Sequence, residues 1–192
     1  MASIQLIAGL GNPGRKHERD RHNAGFRFLS LLAEDLRVEF KPVAKYHALA
    51  AKLAKADGEL WLVMPQTYMN LSGQSVGALA RFYKIQPADV LVVHDELDFE
   101  PGVAKLKFGG GVAGHNGLKD IAGQLGTRDF WRMRIGIGHP GDRDRVADYV
   151  LSQPSGHDRE LIDAALDKCL AVFPVIQSGD MAAAMLRLHT KD

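Results

Sequence analysis

Short apolar runs along the chain predict the strands of a β-sheet. The segments 4–10 and 89–94 are mostly apolar, which is typical of strands buried on both faces. In 103–108 and 131–137, apolar residues alternate with basic ones, which favours strands with one solvated face. Two further runs flank Asp57-Gly58, a hairpin signal. The predicted strands are 4–10, 46–53, 59–64, 89–94, 103–108 and 131–137.

A second pattern, with apolar residues three or four positions apart, predicts the helices. In 23–36, Phe28, Leu32 and Leu36 recur at every fourth position and therefore lie on one face of a helix. The same kind of spacing recurs along 71–83. The predicted helices are 23–36, 71–83, 118–125, 158–173 and 181–188.

The order of these elements predicts an α/β protein. Strands and helices are interspersed, and one hairpin brings antiparallel pairing into the sheet. We therefore expect a three-layer sandwich, in which a central twisted mixed β-sheet is flanked by helices. A chain of 192 residues without internal repeats or an obvious linker predicts a single domain over 1–192.

Composition narrows the setting in which the protein works. The chain is 46% hydrophobic and 24% charged, which is ordinary for a globular protein with a substantial core. Cys169 is the only cysteine, so an intramolecular disulfide is impossible and a reducing, cytoplasmic setting is expected. The first residues lack the pattern of a signal peptide. No apolar run approaches the ~18 residues of a membrane span, so no membrane partner is expected.

Basic residues concentrate in one part of the chain. Residues 103–145 contain eight basic and four acidic side chains, a local charge of +4 in a chain whose formal net charge is +1. Phosphate recognition and ordinary solvated strand faces both account for such a segment.

Three glycines after the first strand raise the question of a nucleotide cofactor. Gly9, Gly11 and Gly14 have the spacing G-x-G-x-x-G of a dinucleotide-binding loop. That loop requires a helix that begins at the motif and packs against the sheet. No large apolar residue follows until Phe26, so a helix there could not bury a face, and Pro13 removes an amide donor. The pattern favours glycines that permit a tight turn and a close backbone approach, and we expect no cofactor.

Polar residues at the predicted loops suggest a hydrolytic site instead. His22 stands just before a helix, and Asp95 is expected at a strand end, where a carboxylate can hydrogen-bond an imidazole and orient it. Asn12, Asn70 and Asn116 also fall in loops, where their amide groups can bind peptide backbone. Each residue also has an ordinary structural explanation, such as helix capping or turn formation.

The absence of other motifs restricts the chemistry of such a hydrolase. The sequence has no G-x-S-x-G nucleophile elbow, no H-E-x-x-H and no Cys/His cluster. We therefore expect water activated by a base, without a covalent intermediate and without a metal.

Six motifs, taken together and in order, resemble those of bacterial peptidyl-tRNA hydrolases. They span most of the chain, and the C-terminal helices match less well. The matching stretches are GLGNPG (9–14), RHNAG (21–25), TYMNLSG (67–73), HDELD (94–98), GGGVAGHNGLKD (109–120) and RIGIGHP (134–140).

The resemblance implies hydrolysis of the ester that joins a peptide to the ribose of tRNA, which frees tRNA after stalled translation. It implies that His22 is the general base, that Asp95 orients it, and that Asn12 positions water or stabilises the oxyanion. It also implies a monomer without cofactor or metal, bound to the acceptor arm and the peptide backbone of peptidyl-tRNA. The implied substrate contacts are Asn70, Asn116, Met69 and Tyr68 for the peptide and tRNA end, and Lys105 and Arg134, with Lys107 second to them, for tRNA phosphate.

Two positions depart from the family pattern Y-x-x-T-R-H-N, because this chain has His17 and Asp20 in place of Tyr and Thr. The role of His17 stays open, and Asp20 would perturb the pKa of His22 if it faced that residue.

Two other functions compete with hydrolysis. A non-catalytic RNA-binding protein would not need His22, Asp95 and the asparagines, and an oxidoreductase would need the nucleotide loop.

The glycine-rich segment 109–117 is a further expectation about the site. Five of its nine residues are glycine, which favours either a movable lid or an ordinary solvent loop.

Overall fold

A computed structural model describes residues 3–112 and 114–190, and within them seven strands form one sheet. The predicted strands are present with small changes at their ends. They are β1 (Leu6–Gly9), β2 (Lys41–Val43), β3 (Ala48–Lys55), β4 (Gly58–Pro65), β5 (Val90–Glu96), β6 (Ala104–Phe108) and β7 (Trp131–Gly136).

The sheet is mixed, as the sequence predicts, with the order β2-β3-β4-β1-β5-β7-β6. Its centre is parallel, because β1 pairs in parallel with β4 and β5, and β5 does so with β7. The outer strands are antiparallel, and β3 and β4 form the predicted hairpin. Since the central strands run in one direction, their carboxyl ends share one edge of the sheet, where ligands bind in many α/β proteins.

Helices cover both faces of this sheet. They are α1 (Ala24–Leu36), α2 (Ser72–Phe82), α3 (Asn116–Leu125), α4 (Val146–Val150), α5 (Gly156–Ser178) and α6 (Met181–His189). Among residues 3–112 and 114–190, none of them has the length and apolar character needed to cross a membrane.

Alternation along the strands divides the core into two halves. On β1, Ile7 belongs to the core half that contains residues of α1, α5 and α6, whereas its neighbour Leu6 belongs to the half that contains residues of α2 and α3 on the opposite face. Phe28 of α1 and Val76 of α2 are both fully buried in their respective halves. The three-layer α/β sandwich is therefore confirmed.

Close packing explains the glycines around β1. A Cβ on Gly9 would lie 2.4 Å from the carbonyl oxygen of Gly25, and one on Gly25 would lie 2.3 Å from that of Val93. The first α-helix begins only at Ala24, so no long helix opens at the glycine triplet. These glycines allow α1 to approach the sheet, as the close-approach interpretation predicts.

The structure differs from the predicted elements in three places. β2 has only three residues, one of them Pro42, and α4 has five. Neither is long enough to show the repeated spacing of apolar residues that predicts a strand or a helix. α5 does not stop at Phe173 but continues through Pro174 to Ser178. Pro174 lies on the exposed face of the helix, where water can satisfy the carbonyl group that proline leaves without a donor.

Candidate active site

The predicted catalytic residues come from different elements and meet at the carboxyl edge of the parallel strands. Asn12 follows β1, and Asp95 is the penultimate residue of β5. His22 lies in the 3-10 turn Arg21–Asn23, directly before α1. α1 packs against β1 and β5, and this packing brings His22 to Asp95 across 73 residues of chain.

His22 and Asp95 form a tight pair. His22 Nδ1 lies 2.9 Å from each carboxylate oxygen of Asp95. Burial alone would lower the pKa of His22, but the charge and hydrogen bond of Asp95, with a smaller contribution from Asp20, outweigh it and raise that pKa. Because Nδ1–H donates to Asp95, the imidazole keeps Nε2 as its basic atom.

Asp95 holds a second imidazole, that of His115. His115 Nε2 lies 3.0 Å from Asp95 Oδ1, and His115 Nδ1 accepts a hydrogen bond from the Leu118 amide at 3.2 Å. The two contacts together require a neutral His115 with its proton on Nε2. His115 caps α3, so the start of that helix holds the carboxylate that orients His22.

Sequence reasoning missed His115. The residue stands inside the motif that supplied Asn116, but a histidine before a helix has no periodic signal of its own. Its only clue is that it adjoins a predicted site residue.

The environment of Asp95 keeps it charged. Asp95 is 3% exposed, and although burial opposes ionisation, His22 and His115 hold its pKa well below the ordinary value. The preceding residue, His94, points into the protein, where burial lowers its pKa to about 3. The lowered pKa keeps the ring neutral, and His94 Nδ1 donates to the Asp95 carbonyl at 2.7 Å, which supports the strand end.

Asn12 is held by three hydrogen bonds. Its side-chain oxygen accepts from the Met69 amide at 2.8 Å. Its main-chain amide donates to Asn23 Oδ1 at 2.8 Å, and its carbonyl accepts from Asn23 Nδ2 at 2.9 Å. The amide oxygen of Asn12 is therefore used internally, which leaves Nδ2 as the group that can bind a ligand. Asn23, another residue the sequence did not single out, fixes this loop.

Close contact between α2 and α3 brings Asn70 and Asn116 to one groove. The Gly73 amide donates to Asp120 Oδ2 at 2.7 Å, and a Cβ on Gly73 would lie 2.4 Å from the Asp120 carbonyl oxygen. Asn70 precedes α2 and Asn116 begins α3, so both line the groove between these helices. Both side chains are exposed and available to a ligand.

Asn116 also connects this groove with His22. A cavity of about 480 Å³ is lined by His22, Asp95, His115 and Asn116, among others. Met69 is 4% exposed, whereas Tyr68 is 64% exposed. The His22–Asp95 pair is thus connected with Asn70 through Asn116, whereas Asn12 lines a separate cavity beside Asn23 and Phe26.

The predicted phosphate contacts lie on β6 and β7. Lys105 is the cross-strand partner of Arg134, and Lys107 is that of Arg132. Lys105 and Arg134 both lie over the Phe99 ring, at 5.2 and 4.6 Å from its centre. Since alternate residues share one strand face, all four cations lie on the same side of this edge of the sheet.

Arg132 has a different role from its neighbours. It is 2% exposed, and its guanidinium group donates to the carbonyl groups of Gly110, Gly111 and Arg128 at 3.0, 2.6 and 3.0 Å. Arg132 thus anchors the start of the glycine-rich segment 109–117. Ala113 of that segment lies outside the described residues, and the lid stays a prediction.

His17 and Asp20, the two residues that depart from the family pattern, face each other. His17 Nδ1 lies 2.7 Å from Asp20 Oδ2, and both side chains are largely buried. The charge of Asp20 contributes to the raised pKa of His22, so the chain carries a second carboxylate that favours the protonated imidazole.

One cluster of side chains has a composition that suits a metal ion. Ligand atoms of His22, Asp95 and His115 lie within 4.8 Å of one another. The same atoms are engaged in the two histidine–aspartate hydrogen bonds, each of which needs a proton that a cation would displace. The present arrangement therefore fits a hydrogen-bonded site better than a metal centre.

Comparison with known proteins identifies the family. The family model for peptidyl-tRNA hydrolase matches residues 6–192. The chain is 54% identical to the peptidyl-tRNA hydrolase of Nitrosospira multiformis over 188 residues, 98% of both chains. It is also 54% identical to that of Aromatoleum aromaticum over 190 residues, 99% of this chain and 96% of the relative.

The fold agrees with this assignment. The crystal structure of peptidyl-tRNA hydrolase from Acinetobacter baumannii superposes with a TM-score of 0.96 at 42% identity, covering 100% of this chain and 97% of that chain. The family resemblance drawn from the sequence motifs is confirmed. The chain therefore belongs to the peptidyl-tRNA hydrolase family.

Proposed function

We propose that this peptidyl-tRNA hydrolase cleaves the ester between the peptide carboxyl group and the tRNA ribose with His22 as the general base. The observation that carries the proposal is the contact of His22 Nδ1 with both Asp95 oxygens at 2.9 Å. It leaves Nε2 free to accept a proton from water, which then attacks the ester carbonyl. Asp95 orients the ring and stabilises the imidazolium ion that forms.

His115 supports this step indirectly. A carboxylate that could rotate would lose its alignment with His22, but Asp95 also accepts a hydrogen bond from His115 at 3.0 Å. We assign His115 as a positioning residue, because its ring nitrogens are both engaged with the protein.

Asn12 stabilises the oxyanion that develops on the ester or positions the attacking water. Its Nδ2 group is a donor, and the Met69 amide fixes the orientation of its side chain. A donor held in this way can bind the developing oxyanion or the attacking water without reorganising during the reaction. One such donor contributes roughly 10²–10³-fold to turnover.

The peptide part of the substrate binds along the groove that joins the cavity at Asn116. Asn70 and Asn116 offer amide groups that both donate and accept, so they suit peptide backbone rather than particular side chains. Met69 forms the apolar floor, and the exposed ring of Tyr68 offers a surface for the tRNA end. This arrangement accounts for a substrate defined by its linkage rather than by its sequence.

The tRNA phosphates bind to Lys105 and Arg134, with Lys107 as a lesser contact. These side chains lie on one face of β6 and β7 and contribute to the excess positive charge of residues 103–145. Glu96, 3.7 Å from Arg134, partly balances that charge in the free protein. No metal or other cofactor takes part in this proposal, and the protein acts as a cytoplasmic monomer in translation.

Lys105→Ala and Arg134→Ala are expected to raise KM and to leave kcat nearly unchanged, because both residues bind phosphate away from the reacting bond. The difference in KM from wild type should shrink as salt increases, because a variant with one phosphate contact fewer releases fewer counterions on binding and its KM rises less steeply with salt. Steady-state kinetics between about 50 and 200 mM salt measure this effect. The control is Lys84→Ala, which removes an exposed cation that lies outside β6 and β7. A loss confined to kcat and independent of salt would contradict the phosphate role.

The substrate assignment is tested with N-blocked aminoacyl-tRNA. Release of free tRNA is scored beside unblocked aminoacyl-tRNA, which has the same ester but a free amine in place of a peptide bond. Rapid release from the blocked substrate alone is expected, because the Asn70–Asn116 groove requires a peptide group. Equal rates on both substrates would show that the groove does not read the peptide and would overturn this part of the proposal.

A further inference from the structure

We infer that His189, at the end of the last helix, is a positioning residue that fixes the phosphate-binding strand β6 for tRNA. The inference rests on the proposed role of Lys105 and Lys107. It makes the C-terminal helix part of the substrate-binding apparatus, although His189 lies far from the ester-cleaving residues in the sequence.

The strand in question is at the edge of the sheet. Within residues 3–112 and 114–190, β6 pairs only with β7, so its outward amide groups have no strand partner there. The Leu106 amide points outward and donates to His189 Nε2 at 3.0 Å. The side chain of Leu106 is 2% exposed and packs in the core. This residue is therefore held twice, by its side chain and by α6.

The two lysines flank this fixed point. Lys105 precedes and Lys107 follows Leu106, and both side chains lie on the strand face opposite to that of Leu106. A small displacement or increased motion of the strand would move both ammonium groups together. One hydrogen bond from α6 can therefore hold two proposed phosphate contacts in register with Arg134, the cross-strand partner of Lys105.

The chemistry of His189 suits this function. The ring can accept from Leu106 only while Nε2 is unprotonated. Burial and the charges of Lys105 and Arg134 lower the pKa of His189, which keeps the ring in the accepting form. The cations that bind phosphate thus also maintain the bond that positions them. His189 and Lys105 line one groove, and the other charged residues of that groove are Lys168 of α5 and Asp98 and Glu100 before β6.

The test compares His189→Ala with His189→Gln, whose amide oxygen can replace Nε2 as the acceptor. With N-blocked aminoacyl-tRNA, His189→Ala is expected to raise KM roughly three- to tenfold, the effect of one lost hydrogen bond, with kcat unchanged. His189→Gln should stay within about twofold of wild type. Amide exchange at Leu106 should accelerate in the alanine variant and return toward wild type in the glutamine variant, which measures the bond directly.

A double variant separates positioning from general stabilisation. In a Lys105→Ala, Lys107→Ala background, His189→Ala should raise KM no further, because no lysine remains to be positioned. An additional rise there, a loss of kcat, or failure of His189→Gln to restore KM would overturn the inference. If Lys105→Ala raises KM and His189→Ala does not, the inference fails while the phosphate proposal stands. If neither raises KM, both are wrong.

Discussion

His22→Ala is expected to lower kcat by roughly 10²–10⁴-fold, the usual contribution of a general base. The imidazole contacts Asp95, but its side chain is no part of either apolar core half, so the fold should persist without it. KM should change little, because the asparagine groove and the basic strand face are untouched. Single-turnover hydrolysis of N-blocked aminoacyl-tRNA measures the loss.

His157→Ala is the matched control for this variant. His157 is an exposed histidine in the first turn of α5, with no place in the proposed site, so its removal should leave kcat unaltered. Circular dichroism and thermal unfolding of both variants report whether the fold is intact. A folded His22→Ala protein that hydrolyses the ester at a nearly normal rate would defeat the assignment of the base.

Asp95→Asn is expected to cost roughly 10²–10⁴-fold in kcat although it changes few atoms. The carboxylate accepts hydrogen bonds from both His22 and His115, whereas an amide has only one oxygen. Its NH₂ group would face a ring N–H unless one imidazole changed tautomer. If His22 does so, its proton moves to Nε2, and the base is lost.

The same variant has a defined effect on pH dependence. In the wild-type protein, the negative charge of Asp95 raises the pKa of His22 against the opposing effect of burial. A general base must be neutral, so activity disappears as the pH falls through this raised pKa. Without the charge, that pKa falls, and the acidic limb of the kcat/KM profile should move to lower pH. An unmoved limb would show that Asp95 does not act on His22 electrostatically.

Much of the fold is predictable where local patterns are strong. The β3–β4 hairpin is marked by Asp57-Gly58, and α1 by apolar residues on one face. β2 and α4 are too short to show a period, and their formation depends on neighbours that sequence order does not reveal. Pro174 signals a helix end, but its exposed position lets α5 continue.

The site was predictable to the extent that its residues stand in recognisable motifs. Asn12, His22 and Asp95 follow or precede predicted elements and carry chemistry suited to hydrolysis. His115, Asn23 and Arg132 escaped prediction, because each acts by holding something else. Their partners are a carboxylate, a main-chain segment and a glycine-rich loop, and these contacts are invisible before the chain folds.

The sequence by itself determined the family, the layered α/β architecture and the set of polar residues at loop positions, because periodicity and motif spacing are properties of neighbouring residues. The tertiary structure alone decided which of those groups touch. It placed two imidazoles on one carboxylate, turned the Asn12 amide oxygen inward, buried Arg132 among carbonyl groups and tied α6 to β6. Such pairings join residues far apart in the chain, and only packing of the helices on the sheet brings their atoms within hydrogen-bonding distance.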